Sequence, residues 1–497
     1  MDHFANCLAE ATKKTPEKIA IVNAGQSLTY RKLSDLVDDL AGQLVSAGMR
    51  EADYVLLPIG NSLLFVVAFF AVLRNNAIVF KIAPDSTEEE VNIALDQFNP
   101  DFALFDGNIT LPAKQKIASS VGKLFSIGLS DALCNLTPIS ENYGIFHHDN
   151  DYESRLGKGY IYRIMSSGSS GRKKHIHRDI VGADYMIQAF SLAYSLTAND
   201  VFLNFAPAHN NLCLCMLILA SGLGGTIILE AKFWPNLAIN DIKNYKVTWL
   251  AASPFVFDLL SKSVVKGRHD FSSLRRAVSV GSPLTENIYD QVRANCGLGL
   301  HELYGSSEAT LTAAKIDNGI FEQGVVGTPV PGTIVKIFDD DFNELPVGEI
   351  GNIGTISPAT VKSYVNDNAK FNRCFHDSFV FVGDRGFMGE DGRLHLAGRS
   401  NLIINVAGGK VDVTEVEEII NLHPNIVESA VYGISNNNTE MVVAAAITKS
   451  LISQEDLMKW CRNRLPAHKV PKKIIFLDAL PRDSVGKLMR SKLAGLF

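Results

Sequence analysis

The chain has no surplus of positive charge. Its 497 residues contain 47 Lys and Arg against 53 Asp and Glu, which gives a formal net charge of -6. Proteins that bind DNA or RNA neutralise phosphate groups with clustered Lys and Arg side chains. The composition therefore argues against a nucleic-acid partner.

Cysteine is scarce, and its spacing is uninformative for metal binding. The 7 cysteines are an odd number, are dispersed along the chain and form no Cys-x-x-Cys pair. Cys213 and Cys215 lie in an apolar run, where a small packed side chain is more common than a metal ligand. The first residues lack a basic segment followed by an apolar core, which is the pattern of a secretory signal. We therefore expect a reducing, cytoplasmic location.

No hydrophobic run is long and unbroken enough to predict a membrane span. Residues 55–73 carry no charge, but Pro58, Gly60 and Asn61 divide them into a short strand and a helix capped near Asn61 or Ser62. Residues 212–229 are divided by closely spaced glycines into a helix and a β-prone piece. Both stretches are expected to be buried elements, and no membrane partner is expected.

Short apolar strands alternate with amphipathic helices over most of the chain, which is typical of an α/β fold with helices covering the sheets. The length exceeds what one hydrophobic core usually supports. From about residue 325, turns and short strands predict a small β unit, and the last hundred residues or so read as a compact α+β unit. We predict a large N-terminal domain at 1–398, a joint at 399–401 and a C-terminal module at 402–497.

A loop rich in serine and glycine follows an apolar, β-prone run that ends at Met165. Its sequence, S-S-G-S-S-G, is closed by the cations Arg172, Lys173 and Lys174. Unobstructed backbone N–H groups, hydroxyl donors and positive charge are what a polyphosphate needs. A flexible linker often has the same composition. The spacing also differs from that of the P-loop.

Further polar motifs follow in a fixed order: Y-G-S-S-E at 304–308, F-V-G-D ending at 384, G-R at 398–399, and P-R-D-S-V-G-K ending at 487. With the serine-rich loop, this order resembles the acyl-adenylate-forming superfamily, which includes acyl-CoA synthetases, peptide-synthetase adenylation domains and luciferases. The resemblance extends from Leu28 to Lys487. It implies that a carboxylate attacks ATP, that pyrophosphate leaves, and that the acyl group passes from AMP to a thiol.

The resemblance assigns the nucleotide site by position. The phosphate loop would comprise Ser166, Ser167, Gly168, Ser169, Ser170, Gly171 and Lys174, with Lys173 standing where the family usually has proline. The adenine, ribose and α-phosphate would contact Gly281, Ser282, Pro283, Tyr304, Gly305, Ser306, Ser307, Asp384 and Arg399. Glu308, at the end of Y-G-S-S-E, resembles the Mg²⁺ ligand of the family. One glutamate can serve this purpose, because Mg²⁺ is commonly held by one or two carboxylates and phosphate oxygens.

The C-terminal module is expected to swing, because modules of this type do so in the family. Lys487 would enter the site and offset the charge of both reactants in adenylate formation. After rotation about the hinge, here Asn401 where aspartate or lysine is usual, Asn405, Gly408 and Gly409 would line a thiol tunnel. A static pair of domains is the alternative.

The acid pocket is expected around residues 207–211, P-A-H-N-N. Amino-acid-activating domains place an aspartate shortly after this point, and none occurs between His209 and Gly225. The His-Asn pair instead resembles stand-alone enzymes that activate salicylate or dihydroxybenzoate. His209 would close over the carboxylate, as a catalytic residue. The slot would be shaped by Asn210, Cys213, Ser253, Gly281 and Gly305.

Three functions stay open at this point. The first is an aryl-acid adenylating enzyme that loads a separate carrier protein in nonribosomal peptide synthesis, for acids such as salicylate or anthranilate. The second is an aryl- or medium-chain acyl-CoA ligase that uses free CoA. The third is a nucleotide-binding regulator on an enzyme scaffold, which the retention of Lys174, Glu308, Asp384, Arg399 and Lys487 disfavours.

Overall fold

The computed structural model describes residues 3–106, 117, 121, 123–129, 134–139, 155–166, 174–265, 269–316, 320–362, 364, 374–399, 403–406, 409–436, 439–483 and 486–496. The helices are α1 (His3–Lys14), α2 (Tyr30–Ser46), α3 (Leu63–Arg74), α4 (Glu88–Phe98), α5 (Ile180–Tyr194), α6 (Asn211–Leu223), α7 (Pro235–Tyr245), α8 (Pro254–Ser263), α9 (Glu286–Cys296), α10 (Val413–Asn421), α11 (Gln454–Arg462) and α12 (Arg490–Leu493).

The strands belong to four sheets. They are β1 (Ile19–Asn23), β2 (Gln26–Thr29), β3 (Tyr54–Leu57), β4 (Ile78–Lys81), β5 (Phe102–Asp106), β6 (Lys123–Leu129), β7 (Cys134–Pro138), β8 (Tyr160–Ser166), β9 (Lys174–Asp179), β10 (Val201–Asn204), β11 (Thr226–Leu229), β12 (Trp249–Ala252), β13 (Arg276–Val280), β14 (Leu300–Ser306), β15 (Thr310–Lys315), β16 (Val325–Pro329), β17 (Ile334–Phe338), β18 (Gly351–Ile356), β19 (Phe375–His376), β20 (Phe379–Met388), β21 (Leu394–Arg399), β22 (Ile403–Val406), β23 (Gly409–Asp412), β24 (Ile426–Asn436), β25 (Thr439–Thr448) and β26 (Lys473–Phe476).

Two large sheets form the N-terminal part. A 7-stranded sheet has the order β7-β6-β5-β3-β4-β8-β9, and a 14-stranded sheet contains β1, β2 and β10–β21. Strands β11, β10, β12, β13 and β14 run parallel to their neighbours in that order. The α/β class predicted from the sequence is confirmed.

A helical layer packs against both sheets. One core contains Leu40 of α2, Val67 of α3 and Leu217 of α6 together with Val55 of β3 and Trp249 of β12. A second core lies on the other face of the large sheet, under α7, α8 and α9. Both faces of the central strands are therefore covered, which explains why these strands read as continuous apolar runs.

Local signals place the helix boundaries. Thr29 caps α2 by accepting a hydrogen bond from the backbone N–H of Lys32, and Ser62 caps α3 in the same way. The two uncharged runs split as predicted, into β3 and α3 and into α6 and β11. Across the described residues, no helix is both long and apolar enough to cross a membrane.

Two features of the sheets differ from the sequence-based prediction. The residues after 174 form a strand, β9, which pairs antiparallel with β8 before α5 begins. The small β unit predicted from residue 325 exists, but it continues the large sheet, because β16 pairs with both β15 and β21. β15 pairs antiparallel with β14 on one side and with β16 on the other, so it links the parallel strands to the small β unit.

The C-terminal module has its own core. The hairpin β22–β23 precedes α10, and β24, β25 and β26 form a 3-stranded sheet with α10 and α11 packed on one face. The compact α+β unit predicted for the end of the chain is present, and after the hairpin its elements follow in the order helix, two strands, helix and strand. Residues 400–402, which include the predicted hinge, lie outside the described part of the chain, so the boundary stays a prediction.

Candidate active site

The site lies at the carboxyl ends of parallel strands. β10, β12, β13 and β14 are neighbours, and the chain segments that leave them contain His209, Ser253, Gly281 and Glu308. Ligands in open α/β sheets bind beyond this edge. The polar motifs that are far apart in the sequence thus follow adjacent strands.

A carboxylate, a phenol and a guanidinium meet beside this edge. The Tyr304 hydroxyl donates to Asp384 Oδ2 over 2.7 Å, and Arg399 Nε donates to Asp384 Oδ1. Asp384 and Arg399 are direct cross-strand partners on β20 and β21. Burial, followed by the negative charge of Asp384, raises the pKa of Tyr304 well above its usual value. Tyr304 is therefore a neutral donor at physiological pH.

Glu308 occupies the tight turn between β14 and β15. Glu308 is only 5% exposed, and the Tyr364 hydroxyl donates a hydrogen bond to its Oε1 over 2.9 Å. Ser306 Oγ accepts hydrogen bonds from the backbone N–H groups of Glu308 and Ala309. Gly305 is required here, because a Cβ would lie 1.9 Å from the backbone oxygen of Thr310. The turn therefore holds a buried carboxylate in a fixed place.

The lysine of the C-terminal module faces this cluster. Burial and the positive charge of Arg399 lower the pKa of Lys487, while Asp483, Asp384 and Glu308 oppose that shift. These interactions mean that the ammonium group lies within electrostatic reach of both carboxylates of the N-terminal domain. A residue near the end of the chain is thereby brought to the strand edge.

The turn that carries Lys487 docks on helix α8. Gly486 has a φ of +82°, and a Cβ there would lie 2.7 Å from Phe255 Cδ1 and 3.1 Å from Ser253 Oγ. The Arg482 guanidinium lies 4.6 Å from the centre of the Phe255 ring and donates to the Gly486 oxygen over 2.7 Å. Ser253, predicted to shape the acid slot, therefore lies beside the docked turn.

The serine-rich loop is only partly within the described residues. Ser166 and Lys174 are paired partners at the end of the β8–β9 hairpin. The remaining predicted phosphate-loop residues lie outside the described chain: Ser167, Gly168, Ser169, Ser170 and Gly171. Gly281, with a φ of +91°, and the exposed Ser282 and Pro283 follow β13.

The predicted acid-pocket residues fall into two groups. Asn210 is the N-cap of α6, and its Oδ1 accepts the Leu212 N–H over 2.8 Å, so its oxygen already has a donor. Cys213 is fully buried, its Sγ accepts from Asn204 Nδ2 over 3.1 Å, and burial raises its pKa to about 12. The Cys213 thiol thus packs inside the helix–sheet core, while His209 and Asn210 lie at the edge.

Thiol-tunnel and hinge residues are described in part. Asn405 and Gly409 lie on the β22–β23 hairpin, where Asn405 pairs with Lys410 and Val406 with Gly409. Gly408 and Asn401 are outside the described residues.

Sequence reasoning missed three contacts around the site. Tyr162 donates to Asn211 Oδ1 over 3.2 Å, Tyr364 donates to Glu308, and Arg178 donates to the backbone oxygen of Ser307. Arg178 and Tyr162 flank the serine-rich loop in the sequence, but β9 reads K-H-I-H-R-D, and this local pattern does not mark Arg178 as a buried residue.

Comparison with known proteins identifies the family of the chain. The AMP-binding enzyme family model matches residues 8–365, and the AMP-binding enzyme C-terminal domain model matches residues 415–487. An oxalate–CoA ligase from Arabidopsis thaliana is 26% identical over 100% of this chain and 99% of its own length. A 2-succinylbenzoate–CoA ligase from Bacillus licheniformis is 25% identical, covering 99% of this chain and 100% of the relative.

A solved structure shares the fold. ATP-bound MatB from Rhodopseudomonas palustris superposes with a TM-score of 0.86 at 23% identity, over 99% of this chain and 98% of that one. The family models together span most of the sequence, including Lys487. The chain therefore belongs to the AMP-binding enzyme family, as the resemblance to the acyl-adenylate-forming superfamily implied.

Proposed function

We propose that this enzyme joins an aromatic carboxylic acid to ATP, releases pyrophosphate, and passes the acyl group from AMP to a phosphopantetheine thiol on a separate carrier protein in nonribosomal peptide synthesis. The observation that carries adenylate formation is the convergence of Lys487, Arg399, Asp384 and Glu308. The aromatic acid and the carrier protein are the finer parts of the proposal, and each has its own support below.

Charge is the main obstacle in the first step. A carboxylate oxygen attacks the α-phosphorus of ATP, the bond to the bridging oxygen breaks, and pyrophosphate leaves, so an anion attacks an anion. Preorganised cations aimed at the reacting oxygens lower such a barrier. Lys487 acts as the mobile cation that contacts both reactants, and Arg399, at the end of β21, acts as the fixed cation.

The nucleotide would be held by groups already paired with each other. Asp384 accepts both ribose hydroxyls in this proposal, and its bonds from Tyr304 and Arg399 hold the carboxylate in orientation. Tyr304 lies against the adenine. Ser166 to Lys174 hold the outer phosphates, with Lys174 supplying the charge.

Glu308 fits a Mg²⁺ ion that is held jointly by the protein and the nucleotide phosphates. The described residues contain no group of three or more His, Cys, Asp or Glu side chains that could hold an ion by themselves. One buried carboxylate plus phosphate oxygens is a common way to bind Mg²⁺. When bound, the ion neutralises phosphate charge and orients the chain of phosphates, while Glu308 and Tyr364 fix where it is held.

The acid is proposed to be aromatic because the pocket offers polar but not anionic groups. No acidic residue lies between His209 and Gly225, so an α-amino group has no carboxylate partner there. With Oδ1 of Asn210 engaged in the helix cap, its amide N–H groups are the ones that remain for a ring oxygen ortho to the carboxylate. The relative named for 2-succinylbenzoate supports an aryl acid, whereas the relative named for oxalate does not require one.

The acceptor has two candidates. The carrier-protein proposal rests on the similarity of the His-Asn pair to stand-alone aryl-acid activators. Free CoA is the second candidate, and the names of the two relatives favour it. Either thiol would be admitted beside Asn405, Gly408 and Gly409 after rotation at Asn401.

The test is exchange of radiolabelled pyrophosphate into ATP with a panel of benzoates, salicylates, anthranilates, amino acids, fatty acids and short dicarboxylic acids. We expect exchange with ortho-substituted aryl acids, and none in a Lys487→Ala variant used as background. The best acid is then supplied with CoA or with a phosphopantetheinylated aryl carrier protein, and thioester is detected by mass spectrometry.

The outcomes separate the alternatives. Exchange confined to fatty or short dicarboxylic acids would overturn the aromatic substrate, and thioester formed with CoA alone would overturn the carrier protein. A flat response to every acid, with ATP still bound, would favour a nucleotide-binding regulator.

A further inference from the structure

Arg178 lies on β9, in the strand that follows the serine-rich loop. It is only 5% exposed, and its two terminal guanidinium nitrogens donate to two backbone oxygens, those of Ser307 and Ala359. Ser307 immediately precedes Glu308 in the chain. This buried cation thus donates hydrogen bonds to main-chain oxygens near Glu308, the proposed Mg²⁺ ligand.

The Ala359 contact reaches Glu308 by a second route. Ala359 lies in a turn in which Ser357 N donates to Thr360 Oγ1 over 2.8 Å. Val361, which follows Thr360, donates its backbone N–H to the backbone oxygen of Glu308 over 2.9 Å. Arg178 therefore holds both the residue before Glu308 and the turn that is bonded to Glu308.

The same strand begins at the phosphate loop. Lys174 is the first residue of β9 and pairs with Ser166, so Arg178 lies on the same hairpin as these two proposed phosphate-binding residues. A displacement of the hairpin relative to β14 would move the phosphate site away from Glu308. Arg178 is the side chain that ties the two together.

We propose that Arg178 is a positioning residue that fixes the distance between the phosphate-binding hairpin and the Mg²⁺ carboxylate, Glu308. This inference rests on the function proposed above. An arginine is needed because its planar fork can donate to two separate carbonyl groups at once, whereas a lysine is a single point charge. Partners that orient a metal ligand typically change metal affinity without touching the metal.

Arg163 supplies the matched control. It lies on β8 of the same hairpin, is 1% exposed, and its guanidinium is 5.5 Å from the Tyr54 ring, in the 7-stranded sheet. Arg163→Met removes a buried guanidinium of the same size from the same hairpin. It should lower the melting temperature but should not move Glu308.

The experiment compares wild type, Arg178→Met, Arg178→Lys and Arg163→Met. Mn²⁺ is titrated into each protein with a non-hydrolysable ATP analogue, and bound Mn²⁺ is measured by electron paramagnetic resonance. The Mg²⁺ concentration for half-maximal pyrophosphate exchange and the KM for the acid are measured alongside. We expect Arg178→Met to weaken metal binding about ten-fold, Arg178→Lys to weaken it less, and Arg163→Met to leave it unchanged, with the acid KM constant throughout.

Equal metal affinity in Arg178→Met and Arg163→Met would overturn the proposal, as would an acid KM that shifts as much as the metal affinity. If Arg178→Met does not fold, Arg178→Lys is read against Arg163→Met in the same way. Failure of the proposed function looks different, because wild type itself would then show no exchange with any acid.

Discussion

Gly486→Ala should block docking of the C-terminal module without unfolding it. The added Cβ would lie 2.7 Å from Phe255 Cδ1, closer than carbon atoms of separate residues approach. The contact exists only while the turn rests on α8. The internal bonds of the turn, such as Gly486 N to Asp483 O at 3.0 Å, lie wholly within the C-terminal module.

The size of the effect follows from separating two costs. A φ of +82° at an alanine costs about 1–2 kcal/mol. This strain is present in both the docked and the undocked state. It therefore lowers the stability of the module but does not change the docking equilibrium. The clash with Phe255 falls on the docked state alone, and overpacking typically costs about 1–3 kcal/mol. That range corresponds to roughly a 5- to 150-fold decrease in the docking equilibrium constant, and adenylate formation should fall by up to the same factor.

The assay measures the two half-reactions separately. Pyrophosphate exchange reports adenylate formation, and thioester formation from a chemically synthesised acyl-adenylate reports the second step. Gly495→Ala is the matched control, because a Cβ at Gly495 meets no atom within 4 Å. Gly486→Ala should lower exchange and leave the second step within about two-fold of wild type. Equal loss in both half-reactions, or no loss in either, would refute the docking argument.

Other variants test the charges and the core. Burial and Arg399 lower the pKa of Lys487; if the protonated form is the active one, kcat/KM for exchange is full below that pKa and is lost as pH rises through it. The alkaline limb of this pH profile should therefore have its midpoint below about 10.4, the usual pKa of lysine. Lys487→Arg should move that midpoint to higher pH. Asp384→Asn should raise the ATP KM at least about ten-fold, because a hydrogen bond to a charged group contributes roughly 1.5–3 kcal/mol; an unchanged KM removes its ribose role. Leu40→Ala, at a fully buried site in α2, should destabilise by about 2–5 kcal/mol, and Val45→Ala by under about 0.5 kcal/mol, judged by denaturant unfolding.

Local patterns were sufficient to predict most elements. The break at Pro58 and Gly60 divides one uncharged run into β3 and α3, and Thr29 and Ser62 act as the caps that their side chains favour. These features depend on residues only a few positions apart, so the sequence displays them directly. The order of elements in the C-terminal module was predictable for the same reason.

Pairing between distant segments was not predictable in this way. The alternation K-H-I-H-R-D in β9 resembles a strand with a solvated face, yet Arg178 in it is buried. The small β unit joins the large sheet through β15, β16 and β21, and nothing within residues 325–399 displays that pairing. Such contacts are set by long-range packing and not by local periodicity.

In the site, too, some residues were predictable from the sequence and others were not. Motif order identified Lys487, Glu308, Asp384 and Arg399, which the structure brings within electrostatic reach of one another. The pocket was harder, because a polar residue at a strand end has local uses as well as functional ones. Asn210 has such a local use, because its side-chain oxygen caps α6.

Transfer of oxygen is the most direct test of carboxylate attack on the α-phosphorus. The accepted acid is labelled with ¹⁸O in both carboxylate oxygens and turned over with ATP and the thiol, and the products are analysed by mass spectrometry. The mechanism predicts one labelled oxygen in AMP and none in pyrophosphate. Label in inorganic phosphate or pyrophosphate, or AMP without label, would contradict it.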